Sequence, residues 1–150
     1  MTRQSKIPLI WFNWLLLVVL GVMAFGISLI LAPGLMRQAF SFLLFADTAI
    51  IDSEFGAPAV AYVTLVHGVL GGVMFGWGAA LFLILVGPLR RGNREAWMIF
   101  TASLGAWYFP DTLFSLWTGY WPNAVLNSVF ALLFAVPLVA TFNACQREKV

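Results

Sequence analysis

The chain has 150 residues, of which 62% are hydrophobic and 9% charged, with a formal net charge of +2 and a mean hydropathy of +0.94. A water-soluble domain carries charge on about a quarter of its residues, so this composition excludes an ordinary soluble fold and points to a lipid bilayer. The single cysteine, Cys145, excludes an intramolecular disulfide and a cysteine-rich metal site.

The first apolar run extends from about Leu9 to Leu31 and ends at Ala32-Pro33-Gly34. Arg3 and Lys6 precede it, as in a signal peptide. It is too long for the apolar region of such a leader, about 7–15 residues, and no small-residue cleavage site follows. An uncleaved span is expected. A second span is expected from about Val60 to Leu89, closed by Gly87-Pro88 and followed by Arg90, Arg91 and Arg94. A third should run from Trp97 to about Gly119, and a fourth from Ala124 to Ala144. Only Tyr120-Trp121-Pro122-Asn123 separates the last two, which predicts a tight antiparallel hairpin. At about 20 residues per crossing, the expected fold is an all-α membrane protein, a four-transmembrane-helix antiparallel bundle.

Lys and Arg set the expected orientation. With four crossings, Arg3, Lys6, Arg90, Arg91, Arg94, Arg147 and Lys149 share one side, while Asp47, Asp52 and Glu54 lie on the other. Arg37 is the exception. Both termini are therefore expected in the cytoplasm. In the first outer loop, Leu35, Met36, Ala39, Phe40, Leu43 and Leu44 recur at helical spacing, with Arg37, Gln38 and Ser41 between them. An amphipathic helix within Gly34–Ile51 should result, covering the helix ends or serving as a lid.

In the second span Gly68, Gly72, Gly76 and Ala80 follow one another every four residues. Such a stripe lets another backbone approach closely. The expected partner is a helix of the same chain, with a homodimer seam as the alternative. Gly71 and Gly78 smooth an adjacent face, leaving room for a flat ring or a lipid tail.

Ionisable groups inside a span are costly and suggest function. His67 in span two and Asp111 in span three are the two here, each about 10–12 Å below the outer surface at about 1.5 Å of rise per residue. Ser115 shares a helix face with Asp111, and Asn123 and Asn127 form an i,i+4 pair on the next helix. Together these residues predict a polar pocket in the outer third of the bundle. Trp107 and Trp117 would line it, with Tyr62, Tyr108 and Trp121 around them. The competing explanation is interhelical hydrogen-bond glue, worth about 1 kcal/mol per contact. Pro110, beside Asp111, and Pro137 should each disturb a helix by removing a backbone donor. Pro137 has no polar neighbour close in sequence and reads as a simple kink.

The loop ending in Glu54-Phe55-Gly56-Ala57-Pro58, followed by a span with Gly68, Gly71, Gly72 and Gly78, resembles the small four-helix DoxX-like bacterial membrane proteins. That resemblance covers roughly residues 10–140 by topology. It implies a bacterial inner-membrane location and links to redox-associated membrane complexes. His67 stands where family members often carry an acid, so no site residue is carried over. The four-helix sterol-isomerase and sigma-2-receptor type of bundle is a more distant likeness.

Three functions are expected to compete. One is binding of an amphiphile, such as a quinone, isoprenoid or lipid, with its head on Asp111, His67 and Asn127. Another is an accessory or assembly subunit of a larger membrane complex, redox or photosynthetic. The third is an acid–base isomerase using His67 and Asp111. The absence of a nucleophile motif, metal-ligand cluster or nucleotide loop weighs against an enzyme. No metal and no nucleic-acid partner is expected. A macrocycle ligated by His67 would have only one axial ligand from this chain.

Overall fold

A computed structural model describes residues 7–146, and the described secondary structure is entirely helical. Arg3, Lys6, Arg147 and Lys149 lie outside the described residues. Six α-helices follow in order: α1 (Leu9–Leu31), α2 (Pro33–Phe45), α3 (Ile50–Glu54), α4 (Ala57–Val86), α5 (Arg94–Trp117) and α6 (Trp121–Gln146). A 3-10 turn, Leu89–Arg91, joins α4 to α5.

Among the described residues, three helical segments are long and apolar enough to cross a membrane: Leu9–Leu31, Ala57–Arg91 and Trp121–Gln146. The expected fourth, α5, has the length but not the composition, since its interior carries Asp111, Pro110 and several hydroxyl side chains among its apolar residues. Apolar side chains face outward, including Leu17 (73% exposed), Leu83 (66%) and Val139 (72%). Lipid accommodates such faces and water does not.

The chain divides into two compact units, residues 21–78 and residues 7–20 with 79–146.

In residues 21–78, proline and alanine set the helix ends. Pro33 cannot donate to a preceding carbonyl, so the chain breaks after α1 and restarts with Pro33 in the first turn of α2. The helix expected within Gly34–Ile51 stops at Phe45. Ala46 there adopts the left-handed conformation (φ 57°) and donates its N–H to the Phe42 carbonyl. A short α3 follows after the turn. Ser41 is fully buried and its hydroxyl donates to the Asp47 carbonyl, while the Asp47 carboxyl accepts the Ala49 N–H at 2.8 Å.

Glycine brings α1 and α4 together in this unit. A Cβ on Gly71 would sit 2.5 Å from the Gly26 carbonyl oxygen, and one on Gly26 would sit 2.8 Å from the Gly71 carbonyl oxygen. A Cβ on Gly78 would meet the Met23 side chain at 2.6 Å. The internal partner expected for the Gly68, Gly72, Gly76 stripe is not found among the described residues. A Cβ on any of those three would meet nothing within 4 Å, and Ala80 is exposed. Gly71 and Gly78, on the neighbouring face, make the close approach instead. Two glycine stripes on one helix look alike in sequence, and only the position of α1 decides which is used.

The second unit is built on the α5–α6 hairpin. Trp97 Nε1 donates to the Leu138 carbonyl at 2.9 Å, Phe100 packs on Phe134 with ring centroids 5.9 Å apart, Tyr108 Oη lies 3.2 Å from Ser128 Oγ, and Asn123 Nδ2 donates to Asp111 at 3.2 Å. As the α5 number rises the α6 number falls, so the pair is antiparallel along its length. Buried Leu15, Val19, Leu81, Leu85, Phe100, Phe134 and Leu138 belong to the core of this unit. The start of α1 is tied in by Ile7, whose N–H donates to the Arg90 carbonyl, and by the Arg90 guanidinium 4.6 Å from the centre of the Phe12 ring.

Pro137 is more than a kink. Its missing N–H orphans the carbonyl four residues earlier, Leu133. That oxygen accepts the indole N–H of Trp14 at 3.0 Å.

Candidate functional site

The turn between α5 and α6 positions the polar residues of the hairpin. α5 closes with a pair of reversed hydrogen bonds: Tyr120 N–H donates to the Ser115 carbonyl at 2.8 Å, and Gly119 N–H to the Leu116 carbonyl at 3.2 Å. This is the Schellman arrangement, which requires a left-handed residue just past the helix. Gly119 provides it, with φ 84°. Pro122 then stands at the start of α6, where its missing donor costs nothing. Asn123 is thereby returned to the level of Ser115 and Asp111.

Three residues meet there. The Asn123 amide Nδ2 donates to Asp111 Oδ1 at 3.2 Å and to Ser115 Oγ at 2.8 Å. Ser115 Oγ donates back along its own helix to the Asp111 carbonyl at 2.7 Å and lies 3.4 Å from Asp111 Oδ1. Ser115 is buried, and Asp111 and Asn123 are half-buried. Both side-chain contacts of the Asp111 carboxyl fall on Oδ1. Among the described residues, Oδ2 has no hydrogen-bond partner. Asp111 is the only charged residue between Glu95 and Arg147.

Two further polar side chains belong to the same stretch of the hairpin. Asn127, 4% exposed, has a buried Nδ2 without a hydrogen-bond partner among the described residues, and Thr112, 9% exposed, has an equally unpartnered Oγ1. Thr112 departs from the habit of the chain, as does Thr101, whose buried Oγ1 is likewise without a partner among the described residues about 16 Å away along α5. Ser28, Thr64, Ser115, Thr118, Ser128 and Thr141 each return their hydroxyl to the carbonyl four residues earlier, the usual way a helix absorbs a hydroxyl. A buried polar group left unmet costs about 1–3 kcal/mol, and native structures contain few of them. Sequence reasoning passed over Thr112, because a threonine that bonds its own helix is indistinguishable in sequence from one that does not.

The aromatic residues expected around the site divide. Tyr108 is half-buried and reaches Ser128, with Trp107 beside it at a ring-centroid distance of 6.4 Å. Trp117 is 86% exposed, and Trp121 and Tyr62 are exposed too. Exposure of that order at helix ends suits anchoring at a membrane interface.

His67 belongs to residues 21–78. There it is buried and stacks on Phe40 of α2, with ring centroids 5.1 Å apart and planes 26° from parallel. Phe25 of α1 lies 6.4 Å beyond Phe40. The Nδ1 atom of His67 is buried and without a hydrogen-bond partner among the described residues. In the same unit Arg37 Nε donates to Asp52 Oδ1 at 3.0 Å and its terminal nitrogen to Thr64 Oγ1 at 2.9 Å. The lone basic residue between α1 and α4 is therefore paired, and it links α2 to α3 and α4.

The structure thus joins Asp111, Ser115 and Asn123 directly and sets Asn127 and Thr112 in the same hairpin. No family model matches the chain, and neither the curated proteins nor the solved structures compared with it give a match.

Proposed function

We propose that the protein is a four-span inner-membrane binding protein for a small amphiphile, whose polar head is held by the α5–α6 hairpin. The observation that carries this reading is a concentration of unmet polar groups in an apolar hairpin: the open oxygen of Asp111, the Asn127 amide and the Thr112 hydroxyl. Hydrogen-bond glue would leave these groups paired; a site for a ligand leaves them waiting. α5 crosses the bilayer with α6, since the two pair along their whole length and 24 residues extend about 36 Å at about 1.5 Å each, enough for a hydrocarbon core of about 30 Å. A quinone, isoprenoid or lipid is the ligand class, with its tail in the lipid phase. The likeness to small DoxX-like membrane proteins agrees with this size and topology.

Purification in a mild detergent, followed by mass spectrometry and absorbance of the extracted small molecules, tests this. Wild type should retain an amphiphile that Asp111→Asn retains several-fold less, with unchanged helicity and melting. Equal retention by the variant sinks the proposal.

One observation favours a second role. The open Gly68, Gly72, Gly76 stripe suits close approach by a helix from another chain, as in a subunit of a larger membrane complex. Native mass analysis of gently solubilised membranes separates the two: a lone monomer counts against the subunit role.

A further inference from the structure

We infer that the hairpin site selects a neutral head group that both donates and accepts a hydrogen bond, such as a hydroxyl, and rejects acidic and ammonium heads of equal tail length. This rests on the binding role proposed above and narrows its ligand by chemistry, away from an oxidised quinone, whose carbonyls only accept, and toward an alcohol or a quinol. Three groups set the requirement. Asp111 Oδ2 is an acceptor, so the head must bring a donor. Asn127 Nδ2 is a buried donor without a partner among the described residues, so the head must bring an acceptor. The Thr112 hydroxyl, also buried and unpartnered, serves in either sense.

Charge narrows the choice. Asn123 donates to the Asp111 carboxyl at 3.2 Å, and nothing else charged lies in the sequence from Ala96 to Gln146. Arg94 stands about 25 Å from Asp111 along α5, at about 1.5 Å per residue. A carboxylate or phosphate head would therefore face the Asp111 carboxylate with no cation of this hairpin to offset the repulsion. An ammonium head would satisfy Asp111 but has no acceptor for Asn127 Nδ2, so a buried donor would stay unmet. A hydroxyl carries both a donor and an acceptor.

The test uses three probes with one tail, namely dodecanol, dodecanoic acid and dodecylamine. Each is titrated near neutral pH into the full chain in a non-ionic detergent, with bound probe counted by native mass spectrometry and melting followed in parallel. Wild type should bind dodecanol at least about tenfold more tightly than either charged probe, the factor that a modest penalty of about 1.4 kcal/mol produces. Asp111→Asn should narrow the gap between dodecanoic acid and dodecanol. Asn127→Leu should weaken dodecanol binding by about tenfold without lowering the melting temperature, which keeps the test decisive even where Asp111→Asn folds poorly. Binding of the acid or the amine as tight as that of the alcohol overturns the head-group assignment and leaves the binding role standing. Failure of all three probes to bind overturns the binding role and the assignment with it.

Discussion

Trp14 and Pro137 show how a single residue's missing atom is answered from far along the chain. Without the Trp14 indole, the Leu133 carbonyl would have no donor, since residue 137 has no N–H to give it. Trp14→Phe keeps an aromatic ring and removes the donor, so it should destabilise the protein by about 1–3 kcal/mol. In a Pro137→Ala background the alanine N–H can close the helix, and the same substitution should then cost less. Thermal or denaturant melting of the four proteins in detergent measures the coupling; equal penalties in both backgrounds would show that the hydrogen bond carries no weight. Asn127 illustrates the opposite case, a buried amide whose donor is unmet among the described residues.

At the scale of the helix, glycine has two different uses in α4. Gly71 lies against backbone: an added Cβ would come 2.5 Å from the Gly26 oxygen and 2.8 Å from Ile30 Cγ1. Backbone cannot step aside as a flexible side chain does, so Gly71→Ala should cost about 1–3 kcal/mol by overpacking. Gly72, the next residue, faces open space. Gly72→Ala should be neutral or stabilising, by up to about 1 kcal/mol, because alanine favours the helix. A comparison of melting temperatures decides, and a reversed order would mean that the other stripe carries the packing. The α5–α6 turn depends on glycine for a different reason. At φ 84° with nothing within 4 Å of an added Cβ, Gly119 is needed for its backbone angle and not for space. Gly119→Ala should cost about 1–2 kcal/mol and loosen the Asn123 contact with Ser115 and Asp111.

At the scale of the molecule, the question is whether α5 crosses the bilayer with α1, α4 and α6. Three helical segments are long and apolar enough alone; α5 is not among them, but pairs with α6 along its length. Single cysteines at Thr48, Arg91 and Thr118, introduced into a Cys145→Ala background, distinguish the topologies. All three positions are exposed. With four crossings, a membrane-impermeant maleimide should label positions 48 and 118 from one side and position 91 only from the other. Labelling of 118 together with 91 would mean that α5 does not cross. Arg37, which runs against the distribution of basic residues, does so as a partner of Asp52 and Thr64.

The long apolar runs, the helices and most of their ends were legible in the sequence alone. Long apolar runs punctuated by Pro33, Pro58, Gly87-Pro88 and Gly119 leave the backbone little choice, because each of those signals acts within a few residues of its own position. The sequence also marked Asp111, Ser115 and Asn123 as one group, since a short turn, three residues in the structure, confines two adjacent helices to a single register. What depended on distance along the chain was left to the tertiary structure: that α1 packs on the Gly71 face of α4 and leaves the Gly72 face open, that Trp14 answers Pro137, that Arg37 is paired, and that the Thr112 hydroxyl and the Asn127 Nδ2 are buried without partners among the described residues. Helical periodicity shows which residues share a face, but whether that face meets a backbone, a donor or nothing is decided by what packs against it.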